Sequence, residues 1–84
     1  MLSQLIARAE LRKIDRAARE FVKREFSRGL GVYVFEVADF FGGSYKRAES
    51  LMAKMVAEGK AERNEIAESV NGVAAWDRGP RWDW

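Results

Sequence analysis

The chain has no cysteine and no histidine. The first absence excludes disulfides, thiol catalysis and cysteine-ligated zinc. The second excludes histidine triads, imidazole general bases and the commonest nitrogen ligand for metals. Of the side chains that carry catalysis, little beyond carboxylates remains. Glu62, Glu65 and Glu68 are closely spaced, but nothing beside them in the sequence marks a substrate pocket, and a solvated acidic edge explains them. No enzymatic activity, metal or cofactor is expected. Proline occurs once, at Pro80. No apolar run approaches the roughly 18 residues of a membrane helix. Charges interrupt the N-terminal segment from Arg8 onward, against the pattern of a secretory leader. The expectation is a cytoplasmic protein without a membrane partner.

What is present is one domain's worth of chain: 84 residues, 48% hydrophobic and 33% charged, the balance of an ordinary globular domain. A core this size is only modestly stabilising, so self-association is a live expectation. A formal net charge of +2 permits nucleic-acid binding without demanding it.

From residue 2 to 28 the chain runs without proline or glycine and is rich in Ala, Leu, Arg, Lys and Glu, which predicts a long helix closed by Arg28 and Gly29. Its apolar residues fall on two faces at 100° per residue. Leu11, Ile14, Ala18, Phe21, Val22 and Phe26 form one. Leu2, Leu5, Ile6 and Ala9 form another, rotated most of the way round. A break near Ala9 to Leu11 would explain both; so would one continuous helix that offers the second face to another copy. The absence of a breaker favours continuity and a homodimer. Between the faces lie Arg8, Arg12, Arg16, Arg19 and Lys23, spaced three or four apart. Two readings stay open for them: a solvated face with local ion pairs to Asp15 and Glu20, or a surface for phosphates or an acidic partner.

Val32 to Phe35 reads as a very short strand or an extended lead-in, and Phe35 to Phe41 as a short helix. Gly42 and Gly43 follow as a turn. Ser44 is a good N-cap for a second helix that buries Ala48, Leu51, Met52, Met55 and Val56 and stops at Gly59. Lys60 to Asn64 and Val73 to Trp76 are expected to pair across Asn71-Gly72, a strong two-residue hairpin signal. Phe21, Phe26, Phe35, Phe40 and Phe41 are expected in the core, with Trp76 covering it. Residues 78–84 form a tail whose Trp82 and Trp84 either fold back or dock on a partner.

Long helix, short strand, short helix, glycine turn, second helix and hairpin together resemble a winged helix-turn-helix domain, most closely from Phe35 to Arg63. Ala38 resembles the small residue packed inside the motif's first helix, Gly42-Gly43 its turn, and Ser44 the start of its recognition helix. The long N-terminal helix (2–28) exceeds what a minimal winged helix requires, and its extra turns fit a dimerisation arm. The resemblance implies an α+β, mainly α fold over residues 1–84, with a helix-turn-helix (34–59), a C-terminal β-hairpin wing (60–77) and the Trp-rich tail (78–84). It further implies a small sequence-specific DNA-binding protein, a transcriptional regulator or mobile-element accessory factor. Such a protein would engage duplex DNA as a dimer through Ser44, Tyr45, Lys46, Arg47, Glu49, Ser50 and Lys54, with Leu2, Leu5, Ile6 and Ala9 at the dimer interface. This wing departs from the basic wings common in the family, since it sets three glutamates against Arg63. That departure, with the tail tryptophans, carries the alternative of a non-catalytic protein-interaction module, an inhibitor or adaptor. Single-stranded nucleic acid stacking on Tyr45 and the tail is a third reading.

Overall fold

The computed structural model describes residues 2–83, with side chains from Arg8 onward. It is a small, mainly helical α+β domain with one three-stranded antiparallel sheet. Helix α1 (Leu2–Ser27) is followed by strand β1 (Val32–Tyr33), helix α2 (Val34–Ala38), a 3-10 turn (Asp39–Phe41) and helix α3 (Tyr45–Ala57). Strand β2 (Ala61–Arg63), helix α4 (Glu65–Asn71) and strand β3 (Ala75–Arg78) complete it. No helix among the described residues is long and apolar enough to cross a membrane.

α1 is continuous through Ala9 to Leu11, as the lack of a breaker requires. Of its expected core face, Ala18, Val22 and Phe26 are fully buried; Leu11, Ile14 and Phe21 are half-buried. The ring of Phe21 packs on Phe40 at 5.3 Å between centroids. α2 and the 3-10 turn contribute Val34, Val37 and Ala38 to the core. Gly42 (φ 66°) and Gly43 (φ 89°) then reverse the chain in the left-handed region, where a Cβ costs conformational energy. The Gly43 amide closes the turn by donating to the Ala38 carbonyl at 2.8 Å. α3 leaves this turn with Ala48, Leu51, Met52 and Met55 on the buried face. Val56, expected beside them, is 41% exposed, because it lies about 80° round the helix from the middle of that face.

In the sheet the strand order is β1-β3-β2. Val32 pairs with Trp76 and Tyr33 with Ala75; on the other side Ala61 pairs with Arg78 and Arg63 with Trp76. Trp76 is therefore central and, at 3% exposure, covers the core from above. The two strands of the expected hairpin do pair, but Asn71-Gly72 is not a two-residue turn between them. Residues 65–71 form α4 instead. Asn64 caps it, its side chain accepting from the Ala67 amide at 2.9 Å; Glu65 and Glu68 complement the positive end of the short helix in its first turn; Gly72 closes it at φ 75°. Asn-Gly satisfies a helix C-cap as well as a hairpin turn, because both need left-handed backbone. Phe35 also departs from expectation: it is 45% exposed and stacks on Tyr33, centroids 5.4 Å apart and planes 10° from parallel.

The tail is tied down. Gly79 donates to the Lys60 carbonyl at 3.0 Å and Arg81 to the Gly59 carbonyl at 2.9 Å, and the half-buried Trp82 packs against the core. Gly79 is buried at this crossing, where an added Cβ would collide with the Gly59 carbonyl oxygen and lie 2.9 Å from the Ala61 nitrogen. Since both obstacles are backbone, the strain has no flexible side chain to absorb it. Gly79→Ala is expected to cost about 1–3 kcal/mol, measured as a lowered urea midpoint.

Candidate nucleic-acid interface

Ser44 opens α3 with its hydroxyl oxygen accepting from the Arg47 amide at 3.2 Å. That commits the hydroxyl to the cap and leaves Ser44 half-buried. The face opposite the buried stripe is centred, by helical geometry, on Lys46, Ser50, Ala53 and Ala57, all exposed. The other expected contact residues divide between two flanks. Arg47, Ser50 and Lys54 line a shallow groove of about 160 Å³ shared with Leu11 and Asp15 of α1. Glu49 lies on the opposite flank, in a groove with Ala53, Val56, Arg63 and Trp76. Tyr45 is 47% exposed.

α1 adds a second row beside the basic flank. Arg19 bridges the two helices, its guanidinium donating to the Glu58 carboxylate at 2.8 and 3.4 Å. Its Nε lies 3.6 Å from Asp15 Oδ1, an ion pair too long for a hydrogen bond, so that buried oxygen has no hydrogen-bond partner among the described residues. Lys60 reaches the same Glu58 at 3.5 Å. The hydrogen bond from Arg19 holds the Glu58 carboxyl below the ordinary glutamate range, against the opposing effect of desolvation. The same bond raises the Arg19 guanidinium further. Arg16, Lys23, Lys60 and Trp82 then border a groove of about 230 Å³ at the far end of this seam.

Two rows of cations thus run side by side: Arg8, Arg12, Arg16, Arg19 and Lys23 along one flank of α1, and Arg47, Lys54 and Lys60 on and after α3. The carboxylates among them are Asp15, Glu20 and Glu58. Of the chain's 15 basic and 13 acidic residues, eight cations against three carboxylates lie here, and seven against ten elsewhere. The small net charge conceals a strongly divided surface. Among the described residues Arg12, Arg16, Lys23, Arg47 and Lys54 make no ion pair, so their charge is available to a ligand.

Strand β2 and helix α4 belong to the acidic side. Arg63 donates to Glu68 through Nε at 2.9 Å and a terminal nitrogen at 2.8 Å, which holds the Glu68 carboxyl below its ordinary range. The Arg63 guanidinium also sits 5.7 Å from the Trp76 ring centroid. Glu62 and Glu65 are exposed beside it. Trp82, weighed as a docking residue, packs on the core, with the Arg78 guanidinium 5.4 Å from its ring centroid. Trp84 and the side chains of Leu2, Leu5 and Ile6 lie outside the described residues; Ala9 is exposed. No group of acidic residues among those described could hold a metal ion.

The sequence reading found the basic row of α1 and, separately, Arg47 and Lys54 among the contact residues of α3, but neither Lys60 nor the adjacency of the two sets, because Arg19–Glu58 and Lys60–Glu58 join residues that no helical period connects. The chain matches no protein-family model, no curated protein and no solved structure.

The Arg19–Glu58 pair has a testable pH dependence. Glu58 ionises more readily folded than unfolded, so its contribution is full above the ordinary glutamate range and disappears as pH falls through the lowered value. Both partners reach solvent, and screening limits the contribution to about 0.5–1 kcal/mol. Glu58→Gln is expected to lower stability by that amount at neutral pH, and the difference from the parent protein should shrink as pH falls below the ordinary glutamate range and vanish once Glu58 is protonated in the folded state, compared by urea unfolding.

Proposed function

We propose that the chain is a winged helix-turn-helix domain that binds duplex DNA as a transcriptional regulator or mobile-element accessory factor. The observation that carries this reading is the concentration of unpaired cations along the α1–α3 seam in a chain whose total charge is near zero. Phosphates along one strand would engage Arg12, Arg16 and Lys23 on α1 and Arg47 and Lys54 on α3, releasing counterions. Lys46, Ser50, Tyr45 and Glu49 would turn toward base edges. The order of elements supports the family reading, as do the Gly42-Gly43 turn and the Ser44 cap. Binding as a dimer, through Leu2, Leu5, Ile6 and Ala9 at the start of α1, would match a two-fold related site.

In this proposal the wing does not grip phosphate. Arg63 is engaged by Glu68, and Glu62 and Glu65 would repel the backbone. Affinity then rests on the two helices, which sets the test. Arg47→Ala with Lys54→Ala, and separately Arg16→Ala with Lys23→Ala, are each expected to weaken binding to duplex DNA about tenfold. Each pair should also reduce the slope of log affinity against log salt by about two. All four side chains are exposed, so the fold should survive. Unchanged affinity and slope in both variants would remove this face from the interface.

One observation favours the alternative of a protein-interaction module. Ile66 and Val70, one turn apart on α4, are 81% and 78% exposed, an apolar edge that DNA binding leaves unexplained. Absence of any binding to duplex DNA at low salt would select that alternative.

A further inference from the structure

On the acidic side of the molecule a groove of about 480 Å³ opens between the end of α1, strand β1, α2 and α4. It shares no lining residue with the α1–α3 seam. Its apolar surface is unusual for its exposure: Leu30 and Phe35 are 49% and 45% accessible, and Phe35 lies flat against Tyr33. Tyr33 is itself fixed, its hydroxyl accepting from Asn71 Nδ2 at 2.9 Å. The stacked pair is therefore a partly exposed aromatic surface, held on the Tyr33 side by that hydrogen bond.

Carboxylates border this surface. Glu36 uses one oxygen to accept from the Tyr33 amide at 2.9 Å. Asp77 uses one to accept from Asn64 Nδ2 at 2.9 Å. The second oxygen of each makes no hydrogen bond among the described residues. Glu25 is the third carboxylate, and Arg28, 3.6 Å from it, is the groove's one cation. Apolar wall, aromatic surface and excess negative charge favour one kind of side chain: a guanidinium, which lies flat on an aromatic ring while donating in its plane to a carboxylate. Leu30 and Ala67 offer aliphatic contact on either side. Val70, one turn beyond Ala67 on α4, extends that surface past the groove.

We propose that this groove is a docking site for a partner protein's peptide segment in which an arginine is flanked by aliphatic residues. The arginine lies over Phe35 and Tyr33 and engages Glu36 and Asp77, and the aliphatic neighbours cover Leu30 and Ala67. The site is independent of DNA binding. A domain of this kind would then join a nucleic-acid surface on one side to a protein contact on the other.

The test is an NMR titration of the ¹⁵N-labelled protein with a synthetic peptide of alternating leucine and arginine. Saturable amide shifts centred on Leu30, Tyr33, Phe35, Asn64 and Ala67 are expected. Glu36→Gln with Asp77→Asn, which keeps an acceptor for each internal hydrogen bond, should weaken binding at least fivefold. Phe35→Ser, which removes an exposed ring without opening the core, should do the same. Three results would each overturn the proposal: equal binding of a leucine–glutamate peptide, equal binding of an arginine–serine peptide, or shifts confined to the α1–α3 seam. Concentration-dependent shifts at Leu30 and Phe35 without peptide would also overturn it, by placing a second copy of the chain in the groove.

Discussion

The reversal of the chain at Gly42 and Gly43 sets the position of almost everything that follows. It lays α3 back over α2, so that Ala48, Leu51, Met52 and Met55 close on Val34, Val37 and Ala38, with Ala18, Val22 and Phe26 of α1 completing the core. Fixing α3 also fixes where Arg47 and Lys54 emerge. Because the buried stripe of α3 occupies one side only, its basic flank comes to lie beside the basic flank of α1. The sheet then closes over the open end, with Trp76 at its centre.

Charge on this surface is organised by which carboxylates are neutralised and which are not. Glu58 is held by Arg19 and Lys60, so the acid nearest the end of α3 no longer counts against an approaching anion. On β2, Arg63 is held in the same way by Glu68. Each pairing joins opposite charges on its own side and leaves that side's net charge unchanged, so the division rests on the cations that make no ion pair among the described residues, Arg12, Arg16, Lys23, Arg47 and Lys54. A ligand's sign therefore decides which side of the molecule it meets, and steering by that division precedes any specific contact.

Much of the fold was legible from local chemistry. The uninterrupted α1, the Ser44 cap and the helical spacing of Ala48, Met52 and Met55 each rest on short-range preferences that tertiary packing left intact. α4 was not legible. Its two ends, Asn64 and Gly72, are equally good strand-turn residues, and seven residues are too few to show a helical period. The exposure of Phe35 was hidden for a different reason: hydrophobicity predicts burial on average, whereas this ring stacks on Tyr33 and stays 45% exposed. On the candidate interface, the basic row of α1 could be read from its spacing, and Arg47 and Lys54 from their place on α3, whereas Lys60 lies beyond that helix. That they form one face depends on a contact between α1 and the end of α3, and local pattern carries no record of it. The tail was unreadable as structure because what orders it is backbone crossing backbone at Gly79.

The insertion of α4 between β2 and β3 has a kinetic consequence. A two-residue turn would let those strands pair early, as a local event; here a folded helix must be accommodated first, and loop closure costs more entropy as the intervening chain lengthens. β1 is more distant still from its partner, since Val32 meets Trp76 across α2, α3, β2 and α4. Helical contacts are local and the sheet's are not, so the sheet's pairings carry the larger loop-closure cost. The acidic groove, bounded by β1, β3 and α4, therefore depends on strand pairings between residues distant in sequence, whereas the basic seam is carried by two helices whose own hydrogen bonds are local.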